Sequence, residues 1–134
     1  MEKIKKFFEG DLFAKHCGIE ILEVKPGWSR CRLEIQERHL NGVRVVQGGA
    51  IFTLADLAFA LACNAHGTVA VAINVSITFM KGVSQGVLIA EAVEEAKTPK
   101  LSTCKVNVTN EAGDLIATFQ GLAYRKNAPL PGLA

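Results

Sequence analysis

The chain has 134 residues, which is enough for one domain with a well-formed hydrophobic core. Its net charge is +2, 21% of its residues are charged, and it lacks the concentrated positive charge of nucleic-acid-binding proteins. It also lacks an apolar stretch of about 18 residues and the apolar region of a signal peptide, so we expect a cytoplasmic protein that does not bind membranes.

The first predicted elements are a helical segment and two strands. The helical segment reaches about residue 17. Lysines and apolar residues are mixed in residues 3–8, a pattern that favours a short helix docked on the domain over a membrane-surface helix. Residues 19–24 and 29–35 are predicted strands, joined through Pro26-Gly27, which is a hairpin turn signal.

Residues 50–63 form an apolar run that contains one carboxylate, Asp56. The run has no polar face, so it predicts a helix that protein covers on all sides. Asp56 then lies in or beside the core, where an isolated carboxylate is costly and its pKa rises unless partners hold it ionised. Because Asp56 lies too far into the helix to cap it, two interpretations stay open: a structural hydrogen-bonding residue or a functional carboxylate.

Gly48 and Gly49 open this predicted helix and favour the functional interpretation of Asp56. Backbone N–H groups in the first turn of a helix have no intrahelical acceptor, and the helix dipole is positive there. Glycine lets a ligand oxygen approach these amides closely, which is how an oxyanion site is built. Without Asp56 downstream, a plain turn would be the preferred interpretation of the glycine pair.

Four further strands are predicted after the helix. Residues 69–79 alternate between large apolar residues and small or polar ones, which predicts a strand with one buried face. Residues 87–96, 101–109 and 115–124 continue the pattern. The connections between these strands are too short for crossover helices, so sequential strands that pair must be antiparallel.

This order of elements predicts an α+β fold in which a curled antiparallel sheet of about six strands wraps around one long central helix. Residues 1–126 form a single domain, and residues 127–134 are predicted to be a flexible tail because their prolines interrupt regular structure. A sheet covers only part of a helix, so the remaining apolar side needs the N-terminal helix or another subunit. A regular edge strand at residues 69–79 invites pairing across a two-fold axis, which predicts a homo-oligomer.

The cysteines and histidines indicate neither a metal site nor a disulfide framework. The cysteines are widely separated and include no C-x-x-C pair, so we expect reduced, mostly buried thiols. The histidines have no ligand-like spacing, and we expect them at the surface or in loops. These residues are Cys17, Cys31, Cys63 and Cys104, and His16, His39 and His66.

Two segments carry a resemblance to a known family. Residues 40–42 read Leu-Asn-Gly, and residues 47–56 read Gln-Gly-Gly-Ala-Ile-Phe-Thr-Leu-Ala-Asp. This motif resembles the hotdog-fold acyl-CoA thioesterases, in particular the phenylacetate-degradation subfamily. Residues 11–19 are similar to that subfamily's N-terminal segment, and the later strands follow its order and lengths. The resemblance covers residues 9–126 and implies the hotdog fold, a curled sheet around a central helix.

The resemblance implies roles for the residues of the motif. Asn41 and the backbone N–H of Gly48 polarise the thioester carbonyl, and Asp56 from the facing subunit activates water or attacks directly. Gln47 stands where the subfamily usually has His; its amide can orient the loop but cannot titrate near neutral pH. Gly10 stands where some members have Asn. The resemblance also implies dimers, often paired into tetramers, with active sites at the subunit interface.

These roles imply hydrolysis of an acyl-CoA to a free acid and CoA, with an acyl group that is aromatic or of short to medium length. We expect no metal or redox cofactor, since coenzyme A enters as part of the substrate. Thr98-Pro99 occupies the turn where a glycine and a basic residue would be expected. The side chains expected to contact substrate are Gly49, Phe52, Leu57, Phe59 and Ala72, with Lys97, Lys100 and Arg125 for the CoA phosphates.

Two other functions stay open. The residues Gln47 and Gly10 are compatible with a hotdog protein that binds acyl-CoA without turnover and acts as a sensor or partner. A hotdog hydratase or dehydratase would need an Asp/His dyad, and His66, which lies past the helix, is the nearest histidine after Asp56.

Overall fold

The computed structural model describes residues 1–133. In this part of the chain the helices are α1 (Glu2–Phe8), α2 (Leu12–His16) and α3 (Gly48–Asn64), with a 3-10 turn at Glu37–His39. The strands are β1 (Ile19–Lys25), β2 (Trp28–Glu34), β3 (Thr68–Phe79), β4 (Val87–Lys97), β5 (Leu101–Thr109) and β6 (Leu115–Pro129). None of the helices within these residues is long and apolar enough to cross a lipid bilayer.

The six strands form one antiparallel sheet in the order β1-β2-β4-β5-β6-β3. β4, β5 and β6 pair in sequence, whereas β3 follows α3 and pairs with β6 at the far edge. α3 contacts all six strands, so the sheet curls around it. The predicted α+β hotdog architecture is confirmed.

α3 lies close to the sheet because small residues face each other across the contact. Ala55, Ala58 and Ala62 are fully buried. Ser29 Oγ on β2 donates a hydrogen bond to the carbonyl of Ala58 at 2.6 Å. On β6, a Cβ at Gly121 would lie 2.7 Å from the ring of Phe59, so a larger residue there would push the helix away from the sheet.

One face of α3 is not covered by this chain, so the predicted helix surrounded by protein on all sides would need a second subunit at that face. Gly49 is exposed, and Thr53, Asp56 and Ala60 are half-buried. Their spacing of three or four residues places them on one face of the helix. We name these four residues the open stripe. The sheet, α1 and α2 cover the rest of α3, so the uncovered face is the one that carries Asp56.

β3 is an edge strand, as predicted, but its apolar residues do not share one face. The pairing with β6 is interrupted between Ala72 and Asn74, where Ile73 is an extra residue. Such a bulge shifts the alternation by one position, so the apolar residues point to opposite faces on its two sides. Val71 and Ile73 are 39% and 55% exposed, whereas Val75 packs against the core.

Both ends of the chain differ from the sequence prediction. At the start, the helical segment divides into two helices, and Asp11 caps the second by accepting a hydrogen bond from the Ala14 N–H at 3.0 Å. At the other end, β6 continues to Pro129 through the first residues of the predicted flexible tail. Leu130 is buried, and its N–H donates to the Gly67 carbonyl at 3.0 Å. Pairing with β3, where Thr68 lies opposite Pro129, holds this extension of β6. Position 134 of the predicted tail lies outside the described residues.

Candidate active site

Asp56 lies in the open stripe of α3 and has no structural partner. Its carboxylate makes no hydrogen bond or ion pair with any residue between 1 and 133. Burial, and secondly the negative charge of Asp11, raise the pKa of Asp56 above its usual range. A half-buried carboxylate that the fold does not use, and that has a raised pKa, is suited to act as a general base.

Asp11 was not assigned a role from the sequence. α2 lies across α3, and its N-cap residue comes close enough to Asp56 to influence the ionisation of that carboxylate. The cap itself is readable in the sequence as an Asp before a short helical pattern. The proximity to Asp56 is not, because it depends on how two distant segments pack.

Gly48 is the first residue of α3, and its N–H makes no hydrogen bond within residues 1–133. First-turn amides of a helix lack intrahelical acceptors, so this N–H is a free donor at the positive end of the helix dipole. The ring of Phe79, at the end of β3, packs against the glycine: a Cβ on Gly48 would lie 3.0 Å from it. Gly48 therefore borders the open edge of the sheet.

Gln47 is the N-cap of α3. Its side-chain oxygen accepts a hydrogen bond from the N–H of Gly49, and its own N–H donates to the carbonyl of His39 at 2.8 Å. The amide of Gly49, predicted to contact substrate, is thus already engaged. Of the two glycine amides, only that of Gly48 is open within the described residues.

Asn41 organises the loop that precedes Gln47. Its Oδ1 accepts hydrogen bonds from the N–H groups of Val43 and Val45 at 3.0 and 3.2 Å. Arg44, between them, has a φ of 68°, a conformation that non-glycine residues adopt at a cost and that these bonds hold in place. The Asn41 Nδ2 group makes no bond within the described chain and can donate to a ligand.

His39 is buried, which corrects the expectation of a surface or loop role. Its Nδ1 accepts from the Gln36 N–H at 2.9 Å, so its Nε2 carries the proton and donates to the Cys17 carbonyl at 2.8 Å. Together with the bond from Gln47, this ring ties the end of α2 to the start of α3. The Gln-x-x-His spacing at residues 36–39 is the sequence signal of this small capping arrangement.

Two clefts flank α2. The first, which we name the α3 cleft, has a volume of about 490 Å³ and lies between α2 and the first half of α3. Phe13, Leu40 and Phe52 are among its walls. The second, of about 310 Å³, lies between α1, α2 and β1, and is lined in part by Asp11 and Leu57. Of the predicted substrate contacts, Gly49 and Phe52 line the α3 cleft and Leu57 lines the second cleft.

The predicted CoA-phosphate residues are partly brought together. Lys100 and Arg125 line a cleft of about 490 Å³ with Lys126, near the start of β3. Arg125 Nη1 donates to the Thr98 carbonyl at 2.7 Å, while its Nε is buried and unpartnered within residues 1–133. Lys97 is exposed at the end of β4, outside this lining.

Two predicted substrate contacts lie elsewhere. Phe59 is 1% exposed, and its ring packs on Phe119, with ring centres 5.7 Å apart. It belongs to the core because its position on α3 faces the sheet. Ala72 is exposed on β3 opposite Ala123, next to the bulge.

Within residues 1–133, the remaining histidine and the cysteines do not form a second candidate active site. His66 Nε2 lies 2.9 Å from Glu94 Oε1, so the histidine after α3 pairs with Glu94 and not with Asp56. No group of three or more His, Cys, Asp or Glu among residues 1–133 is arranged to hold a metal ion. Burial raises the pKa of Cys31, Cys63 and Cys104 to about 12, whereas Cys17 is half-buried in the α3 cleft.

Comparison with known proteins gives consistent matches over most of the chain. The sequence profile of the thioesterase superfamily matches residues 44–117. A candidate esterase of Archaeoglobus fulgidus is 42% identical over 98% of this chain and 86% of its own length. The acyl-coenzyme A thioesterase PaaI of Escherichia coli is 31% identical over 95% of this chain and 91% of its own. The solved structure of the E. coli PaaI protein from the phenylacetic acid degradation operon superposes with a TM-score of 0.89 at 30% identity, covering 92% of this chain and 91% of that one.

Proposed function

The chain belongs to the thioesterase superfamily and is a thioester hydrolase, and we propose that it hydrolyses acyl-CoA to a carboxylic acid and free CoA. The relative from E. coli is named as an acyl-coenzyme A thioesterase, which supports this substrate class. The observation that carries the proposal is the presence, on one helix, of the free Gly48 N–H and the unpartnered carboxylate of Asp56.

The proposed reaction uses these two groups in complementary ways. Asp56 takes a proton from a water molecule whose oxygen attacks the thioester carbon. The Gly48 N–H and the Asn41 amide donate hydrogen bonds to the carbonyl oxygen as it becomes negative. When the intermediate collapses, the C–S bond breaks, and the CoA thiolate takes the proton back from Asp56. An attack of Asp56 itself, through a transient anhydride, would use the same donors. Neither route calls for a metal or redox cofactor.

We propose that each reaction centre combines two copies of the chain. Gly48 and Asp56 are eight residues apart on one helix, which separates them by about 12 Å along its axis. That distance is too great for both groups to act on one carbonyl. Gly48 of one copy therefore works with Asp56 of another, as the family resemblance implies.

The exposed edge of β3 is the proposed contact between the copies. Ile73, Phe79 and Met80 are 55%, 51% and 59% exposed on or just after this strand, an apolar edge that a second copy would cover. Phe79 packs on Gly48, so a partner at this edge comes close to the free amide. A dimer, or a dimer of dimers, is the assembly that this arrangement supports. The cytoplasmic location expected from the sequence stays a prediction.

The CoA phosphates are proposed to bind in the basic cleft that contains Lys100 and Arg125. Lys126 adds a third cation to this cleft. The Arg125 guanidinium uses Nη1 for the Thr98 carbonyl, and its Nη2 has no partner within residues 1–133 and can donate to a phosphate oxygen. Lys97 has no comparable support and stays a sequence prediction.

A direct test is the release of CoA, measured by chromatography, from acetyl-CoA, hexanoyl-CoA, phenylacetyl-CoA and palmitoyl-CoA. We expect turnover of at least one of the first three. Tight binding of an acyl-CoA without release of CoA would favour the alternative of a non-catalytic acyl-CoA-binding protein. In that case Gln47 in place of the usual His would be the first residue to examine.

The pH profile provides a second prediction. The general base must be ionised, so kcat/KM should rise with pH through the raised pKa of Asp56. Replacing Asp11 with Asn removes the nearby negative charge and should lower that pKa, so the acid limb of the profile should move to lower pH. Asn keeps the helix cap, because its side-chain oxygen can also accept from Ala14. The control is Glu9→Gln, which removes a negative charge from the cleft between α1, α2 and β1 that Asp11 also lines. It should leave the acid limb of the profile in place. An unmoved limb in Asp11→Asn would contradict the assignment of the limb to Asp56.

A further inference from the structure

We propose that the α3 cleft receives the acyl group and that Phe13, on α2, is the residue that sets the preference for bulky apolar acyl groups. This inference rests on the proposed function. Phe13 was not among the candidate residues predicted from the sequence, and the proposed reaction assigns it no role.

The α3 cleft begins beside the proposed oxyanion donor, the Gly48 amide. Gly49, the residue that follows Gly48, is part of the cleft wall. Gln47, which caps the helix next to Gly48, also borders the cleft. A thioester whose carbonyl oxygen reaches the Gly48 amide can therefore extend its acyl group into this space. The volume of about 490 Å³ is in the range of small-molecule pockets.

The walls of the α3 cleft are mainly apolar and favour an apolar group. The apolar walls include Phe13, Leu40 and Phe52, and the ring of Phe52 is held edge-on by Phe119 at 5.5 Å. Most polar groups of the walls are already paired with protein. The His39 nitrogens bind Gln36 and Cys17, the Gln47 oxygen binds Gly49, and Thr53 Oγ1 donates to the Gly49 carbonyl at 2.7 Å.

The remaining polar wall residue, Arg38, uses two of its three guanidinium nitrogens. Its Nε donates to Gln36 Oε1 at 3.1 Å, and its Nη1 donates to the His16 carbonyl. The paired groups gain little from a polar ligand, because each would exchange an existing bond for a new one. An acyl group that offers only hydrocarbon surface fits such a cleft best.

Phe13 differs from its neighbour in the way expected of a specificity residue. Leu12 and Phe13 are 76% and 65% exposed on the same short helix, which Ala14 anchors through its buried side chain. A single exposed apolar residue is common at a protein surface and needs no explanation. Phe13 is a wall of the α3 cleft, however, and Leu12 is not. The two residues thus form a matched pair for mutagenesis.

The first test compares acyl preference in Phe13→Ala and Leu12→Ala. Phe13→Ala should lower kcat/KM for phenylacetyl-CoA and hexanoyl-CoA by about tenfold, mainly through KM, because contacts with an aromatic ring contribute to binding in both ground and transition state. The value for acetyl-CoA, which is too short to reach Phe13, should stay within about twofold. Leu12→Ala should leave all three values unchanged. Equal losses for acetyl-CoA and the longer substrates, or equal effects of the two variants, would overturn the proposal.

The second test does not depend on turnover. Cys17 lines the α3 cleft and is half-buried, whereas the other three cysteines are buried with pKa values raised to about 12, so N-ethylmaleimide should alkylate Cys17 first. A non-hydrolysable thioether analogue of phenylacetyl-CoA should slow this alkylation, and CoA alone should not. Phe13→Ala should need about tenfold more analogue for the same protection.

The two tests separate the possible failures. If the wild type releases CoA but the analogue protects Cys17 no better than CoA does, the acyl group lies elsewhere and the inference on Phe13 fails alone. If no acyl-CoA is hydrolysed while the analogue still protects Cys17, the catalytic proposal fails and the cleft assignment holds.

Discussion

Replacing Asp56 with Asn should lower kcat for acyl-CoA hydrolysis by about 10²- to 10⁴-fold, the usual contribution of a positioned general base. Asn has nearly the same volume as Asp but cannot accept a proton from the attacking water. The measurement is CoA release at saturating substrate. Asp114→Asn, which removes a surface carboxylate bound to Lys81, is the control and should keep kcat unchanged.

The stability of the same variant distinguishes a catalytic Asp56 from a structural one. Because the pKa of Asp56 is raised in the folded state, the neutral carboxyl favours folding and the ionised one opposes it. The stabilisation that the neutral carboxyl contributes is fully present below the ordinary pKa of Asp. It is lost as pH rises through the raised pKa of Asp56 in the folded state. At neutral pH, Asp56→Asn should therefore have the same Tm as the wild type or a higher one, and the difference should shrink as pH falls. An early-melting variant with normal kcat would show that Asp56 is structural.

Replacing Gly48 with Pro should lower kcat by about 10²- to 10³-fold, because it deletes one donor to the oxyanion. Proline has no N–H, yet it is well suited to the first position of a helix. Gln47, with φ −63° and ψ 135°, already has the extended backbone that a following proline requires. The variant should therefore fold while losing the proposed donor.

Gly48→Ala is the matched control for this experiment. Both substitutions place a Cβ about where the ring of Phe79 lies, 3.0 Å away, so both ask that ring to move slightly. Only the Ala variant keeps the N–H. We expect Gly48→Ala to retain most of the kcat that Gly48→Pro loses. If the two variants lose activity equally, steric disturbance near Phe79 explains the effect and Gly48 is not the oxyanion donor.

Local sequence patterns predicted the elements of the fold because each element carries its own periodicity. The strand predicted at residues 101–109 is β5 (Leu101–Thr109), and the helix predicted to open at Gly48 begins there. Glycine and proline residues between the periodic segments indicated where the turns lie. The architecture then followed from counting strands around one apolar helix.

Features that depend on contacts between distant segments were not predictable. The bulge at Ile73 depends on the register with β6, and nothing within β3 marks it. The influence of Asp11 on Asp56 and the buried ring of His39 depend on how α2 lies across α3. Phe59 was assigned to a pocket because it follows Asp56 closely in sequence, but its helical position faces the sheet. The motif at residues 41–56 indicated the thioesterase family, and tertiary packing decided which of its neighbours border a cleft.

The proposed reaction centre takes Gly48 from one copy of the chain and Asp56 from another. Mixing the two inactive variants tests this arrangement. Asp56→Asn and Gly48→Pro, carrying different tags, are co-expressed, and the mixed assembly is purified with both tags. In a mixed dimer, one centre pairs the intact Gly48 of the first chain with the intact Asp56 of the second, and the other centre has neither.

Mixed dimers should recover about half of the wild-type kcat per dimer, while each variant alone stays near background. A tetramer made of such dimers would recover a comparable share. If the two groups acted within one chain, every centre in the mixture would lack one of them. Mixed assemblies that are as inactive as the separate variants, although both variants are folded and assembled, would show that Gly48 and Asp56 of different copies do not form one reaction centre.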